Sequence, residues 1–184
     1  LIGLLLIISY GWSGNAELMF AAIKLGTFAL LLPIYFTVCH RMLPFFASCV
    51  LKDYRVYRPM WSLALFWVLA LIHLGLEIAH LNAWLWLPDS VLIWLSIHLL
   101  WHWWPRESVP PLMRVLLLGV AGLPIAMLLY CTQSIVFLAT DQMLLGRAPA
   151  HALFIGFFGS LLVAMVTPVT QGHSGRPLQM GWPD

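Results

Sequence analysis

Charge is what this chain has least of. Asp, Glu, Lys and Arg make up 9% of its 184 residues, against 62% apolar ones, whereas a soluble domain is about a quarter charged. The mean hydropathy is +0.92. A water-facing globule of this size has no interior large enough for so much apolar surface, which excludes an ordinary soluble domain. The formal net charge of +2 resides in short connections and makes no basic surface. It gives no sign of a nucleic-acid partner; none is expected, and membrane lipid is the expected one. Cysteine is scarce too. Cys39, Cys49 and Cys131 show no CxxC spacing and read as small packed thiols rather than a disulfide framework. No GxGxxG, GxxxxGK[ST] or HExxH string occurs, so nucleotide and zincin chemistry have no support.

Long apolar runs are plentiful. A membrane span needs about 20 apolar residues, and five segments qualify: Leu18–Cys39, Met60–His80, Trp84–Trp104, Leu112–Thr140 and Pro149–Pro168. Leu1–Trp12 reads as the truncated end of a sixth. Each must be helical, because lipid offers no partner to an open strand edge. The expected fold class is all-α, a polytopic transmembrane helix bundle with five complete spans plus a truncated first one. Residues 1–184 form a single transmembrane helical region. No Met and no basic stretch precedes Leu1-Ile-Gly-Leu, so the chain is expected to be a fragment of a longer polytopic protein. Pro33 and Pro124 lie inside spans and are expected to kink them. Pro168 and Pro177 are expected to stop the last span and restart the chain.

Basic residues set the orientation. Arg41, Lys52, Arg55, Arg58, Arg106, Arg114 and Arg176 fall on one side of the predicted spans, and Arg147 alone on the other. The Arg41–Arg58 loop, the Pro105–Pro111 loop and the Gly172–Pro177 turn are therefore expected in the cytoplasm, and the Ser13, Asn82 and Asp141–Arg147 turns outside.

Seven histidines stand out in so apolar a chain, because ionisable groups within a membrane usually face a bundle interior or cavity. His73, Glu77 and His80 fall at i, i+4 and i+7 on one helical face, where a carboxylate can orient a ligating imidazole. His98 and His102 are also i, i+4. Two ligands make a weak metal site, and an interfacial pair among tryptophans is the competing reading. His40 and Arg41 close the first long span. His151 opens the last, where the helix N-terminus favours a neutral imidazole able to ligate. His173 and Arg176 lie in a glycine-flanked turn. By depth, His73 and His151 form an outer group, and His40, His98, His102 and His173 an inner one. Two stacked cofactor levels fit that sorting. The eight methionines are scattered and form no copper motif.

Three strings carry a family likeness: His40-Arg-Met-Leu-Pro-Phe-Phe46, Arg147-Ala-Pro-Ala-His-Ala-Leu153 and Gly172-His-Ser-Gly-Arg-Pro-Leu178. Together they resemble the NnrS family, polytopic bacterial inner-membrane proteins linked to haem, copper and the response to nitric oxide. Gly156-Phe-Phe-Gly159 and Ala164-Met165 add to the likeness, which runs from about residue 18 to 178. One departure is Pro168, where the family pattern carries a basic residue. The resemblance implies haem, with copper as a second metal, in a multi-pass protein of the bacterial inner membrane. The resemblance carries over His40, His151 and His173 as metal-ligating imidazoles, and the i, i+4 spacing adds His73. Arg147 and Arg176 pair with propionates, Arg41 belongs to the cofactor region, and Glu77 orients His73. The redox partner and any turnover are left open. Two other readings stay open: a transporter using an intramembrane Glu/His path, and a non-catalytic membrane subunit.

Overall fold

The computed structural model describes residues 1–51 and 54–173; for Val50 and residues 167–173 it describes the backbone alone. Arg176 thus lies outside the described residues, as does the side chain of His173. The described residues form helices and turns, with no strand among them.

Helix α1 (Ile2–Ser13) ends at Gly14, which adopts the left-handed conformation with φ 65°. Asn15 then caps α2 (Ala16–Lys24), its side chain accepting from the Glu17 amide. A π-helical segment, Leu25–Leu31, joins α2 to α3 (Leu32–Val50). Then follow α4 (Met60–Ile78), a short 3-10 turn at Asn82–Trp84, α5 (Trp86–Trp103) and α6 (Pro111–Thr140). The last rod comprises α7 (Ala148–His151), a second π-helical segment at Ala152–Gly159, and α8 (Ser160–His173).

Among the described residues, five helical rods are long and apolar enough to cross a membrane: Ala16–Cys49, Met60–Ile78, Asn82–Trp103, Pro111–Thr140 and Ala148–Val166. The chain is a transmembrane helix bundle. Its many exposed large apolar side chains, such as Leu118, Ile155 and Val163, suit contact with lipid.

Two span ends differ from expectation. The first long rod runs past His40 and Arg41 to Val50, so both residues sit within the helix rather than at its close. Phe36, Cys39, Leu43 and Ala47 are all buried, and this i, i+3/i+4 stripe carries the core face through Pro44. At the other end α8 continues through Pro168 to His173. A proline forfeits one backbone bond, which a membrane helix can accommodate locally. Pro33 sits in the first turn of α3, just after the π-helical segment. The wider π turn relieves the clash between a proline ring and the carbonyl four residues back.

Helix α6 is the central element and packs against α5, α8 and the second π-helical segment. Where it crosses that segment, a Cβ on Gly122 would lie 2.5 Å from the Gly156 carbonyl oxygen. Only glycine permits this approach. Phe36 and Phe66 stack at 3.6 Å between ring centroids and fill the middle of the bundle.

Candidate functional site

The polar side chains gather at two levels. One lies toward the end of the bundle that carries Asn15, Asn82 and Asp141. The other lies at the end that carries Arg55 and Pro105.

At the Asn82 end, four helices converge on a buried charge cluster. Lys24 from α2 donates to Glu77 Oε1 of α4 at 2.6 Å. His73, one turn back on α4, is fully buried, and its Nδ1 meets Asp89 Oδ1 of α5 at 2.5 Å. Its Nε2 lies 3.6 Å from Glu77 Oε2, too far for a hydrogen bond. Phe28 stacks on the imidazole at 4.1 Å, and Tyr130 of α6 meets it edge-on at 5.1 Å. His73 Nε2, Glu77 Oε2 and Asp89 Oδ2 are buried with no partner among the described residues. A pocket of about 250 Å³ leads in from the Asn82 end, lined by Phe20, Lys24, Glu77, Tyr130 and Gln133 among others. His80 lies outside the cluster at its rim. Helix α4 ends at Ile78, and His80 turns away with φ 56° to bond exposed Glu17 at 3.0 Å.

At the Pro105 end there is a larger cleft of about 560 Å³, lined by Tyr54, Arg55, Tyr57, Trp101, His102, Trp104 and Arg106, with Leu51, Pro105 and Glu107 completing it. His102 is exposed on α5, and its Nδ1 donates to the His98 carbonyl at 2.8 Å. That bond fixes the tautomer and leaves Nε2 with a free lone pair, the arrangement that metal-ligating histidines use. Tyr57 stacks on His102 at 4.1 Å and its hydroxyl meets His98 Nε2 at 3.1 Å. The Tyr54 hydroxyl is buried in the wall without a partner among the described residues. Burial pushes its ionisation above the usual phenol range, so it remains a neutral donor.

A scan of protein-family models matches the NnrS protein family over residues 1–184. The chain belongs to the NnrS family. Neither the curated proteins nor the solved structures gave a match.

The NnrS-like strings fall at different places in the bundle. His40 is buried, its Nε2 donating toward the Pro59 carbonyl and Ser62 Oγ, each at 3.1 Å. It ties the chain at Pro59, where α4 begins, to α3. Arg41 is exposed on α3. His151 is exposed at the start of the last rod, and its Nδ1 donates to the Arg147 carbonyl at 2.8 Å, the same arrangement as at His102. Arg147 is exposed in the turn before it. No hydrogen bond or ring contact joins His40, His73 and His151 among the described residues. No group of three or more His, Cys, Asp and Glu there is arranged to hold a metal ion.

Two cluster partners escape a reading of the sequence. Lys24 lies in a span and so drops out of a count of loop charges. Asp89 lies in the first turn of α5, where an acidic residue is expected in any helix. The cleft at the Pro105 end depends on Tyr54 and Tyr57, which the 51–59 connection carries to α5. An i, i+4 histidine pair beside an aromatic-rich span end is the only local sign of it.

Proposed function

We propose that this chain forms part of a haem-binding protein of the bacterial inner membrane, acting in the response to nitric oxide. Membership of the NnrS family supports the biological setting. The observation that carries the haem reading is the cleft at the Pro105 end. Its volume lies in the range of small-molecule and cofactor sites. It combines aromatic walls, a histidine with its Nε2 free, an unpartnered buried phenol and two arginines.

Those residues fit the group. His102 would ligate the iron through Nε2; neutral imidazole is a common axial ligand. Arg55 and Arg106 would hold the propionates through charge-assisted hydrogen bonds. Trp101, Trp104 and Tyr57 would exclude water from the macrocycle faces. When bound, the haem supplies an iron able to take up nitric oxide or pass electrons. His151 is a second ligand candidate, since its Nε2 is also free. By the family likeness alone, Arg147 belongs with His151 at the outer level, and His173 and Arg176 belong at the inner level, on the side of the cleft. Among the described residues copper has no three-ligand group to support it. His73 and Glu77 are assigned to the charge cluster and not to iron, because His73 is fully buried against Phe28 and Tyr130 and the pocket beside Glu77, about 250 Å³, lies below the usual size of a cofactor site. In the orientation that the basic loops favour, the Pro105 cleft faces the cytoplasm.

The test is the visible spectrum of the purified protein and its variants. A Soret band that falls at least tenfold in His102→Ala, and stays at wild-type intensity in Glu17→Gln, supports the assignment. A band unchanged in His102→Ala but lost in His151→Ala moves the haem to the other level and overturns the cleft.

A further inference from the structure

The charge cluster at the Asn82 end does not balance as it stands. Lys24 contributes one positive charge, Glu77 and Asp89 two negative ones, and a neutral His73 none. A net negative charge there is costly, because fully buried His73 and Asp89 have no second cation among the described residues to compensate them. One more positive charge restores neutrality. It must also satisfy His73 Nε2 and Glu77 Oε2, which face each other without a partner among the described residues. A proton on Nε2 does both. The imidazolium then lies between two carboxylates, donating through Nδ1 to Asp89 and presenting Nε2–H to Glu77.

A metal ion fits less well. Only two lone pairs converge on the gap, since Asp89 lies on the opposite edge of the ring, and two ligands make a weak site. Access is one-sided. Glu77 lines the pocket from the Asn82 end and His73 does not, whereas the stacked pair Phe36–Phe66 fills the bundle's middle.

We propose that His73, Glu77 and Asp89 form a buried proton-binding site, loaded through the pocket that Lys24 and Glu77 line. In loading, a hydronium ion in the pocket gives its proton to Glu77 Oε2 and leaves as water. Glu77 closes the 3.6 Å gap to His73 Nε2 to hydrogen-bond distance, passes the proton across and returns to a carboxylate held by Lys24. Unloading is the reverse. The other titratable groups beside the cluster are Tyr130 on α6, with Glu17 and His80 paired at the rim, while the Cys131 thiol, also on α6, points to the Trp86 carbonyl. Thr27 in the first π-helical segment bonds its own helix. The site stands independently of the haem assignment, since haem-free protein would bind the same proton.

The experiment uses the purified protein in lipid nanodiscs. Acid-minus-alkaline infrared difference spectra, recorded in H2O and D2O, report the imidazolium–carboxylate pair, and potentiometric titration reports proton uptake. The expected result is an exchangeable signal that disappears in both His73→Gln and Glu77→Gln and persists in Glu17→Gln. Uptake should fall by the one proton that charge balance assigns. An unchanged signal in Glu77→Gln overturns the proposal. So does copper or zinc that co-purifies in stoichiometric amount and is lost in His73→Gln. Should His73→Gln fail to fold, Glu77→Gln decides alone, because its amide oxygen can still accept from Lys24.

Discussion

At the scale of residues, the pair Lys24–Glu77 shows how a membrane interior handles charge. Removing one member of a buried pair leaves the other without compensation, which costs about 3–5 kcal/mol. Lys24 keeps 20% side-chain exposure, so Lys24→Met is expected at the low end, about 3 kcal/mol. Adding Glu77→Leu should recover most of that loss. Unfolding of the purified protein in mild detergent measures both; a Lys24→Met protein as stable as wild type would contradict the pairing. The His73–Glu77 half of this cluster is legible in the sequence, because i, i+4 spacing places two side chains on one face of a helix whatever surrounds it. Lys24 and Asp89 are not, because spacing is silent about which helices become neighbours. His40 shows the reverse difficulty. Its place in a family-like string points to a ligand, yet its ring bonds the Pro59 carbonyl and Ser62 and clamps the chain entering α4.

At the scale of elements, hydropathy locates each span well and its ends poorly. A window of apolar residues shows what fits inside lipid, whereas a helix continues wherever its buried stripe continues. Hence α3 runs through Arg41 and Pro44, with Leu43 and Ala47 still facing the core. The Ser13 turn and the Pro105–Pro111 loop are readable because glycine and proline chemistry acts locally. The crossing of α6 over the second π-helical segment is not, since nothing local distinguishes Gly122 from Gly75. The structure does distinguish them. Gly122→Ala places a Cβ against the Gly156 backbone and is expected to destabilise by about 1–3 kcal/mol, the usual cost of overpacking. Gly75→Ala meets nothing within 4 Å and is expected to be neutral or to stabilise by up to about 1 kcal/mol through helix propensity. Thermal unfolding of the two variants side by side checks this; equal losses would contradict the crossing.

At the scale of the whole molecule, the fold class was legible because composition alone forces it. Nine per cent charge and five long apolar runs leave only a helical bundle in lipid. The distribution of basic residues supports a cytoplasmic 51–59 connection. A reporter fused there should be active in the cytoplasm and silent outside, and the opposite pattern would invert both ends of the bundle. Lys24 does not disturb that bias, because it lies within the span Ala16–Cys49 and not in a loop.

The haem cleft was the least legible feature, since it is assembled from Tyr54 and Tyr57 before α4 and His102 and Arg106 at the end of α5 and just beyond it. It is also the central claim, and haem content tests it most directly. Protein purified from haem-supplied cells should contain haem in stoichiometric proportion by the pyridine haemochrome assay, and Arg55→Ala/Arg106→Ala should lose most of it. Intact, folded protein with no haem at all would contradict the account.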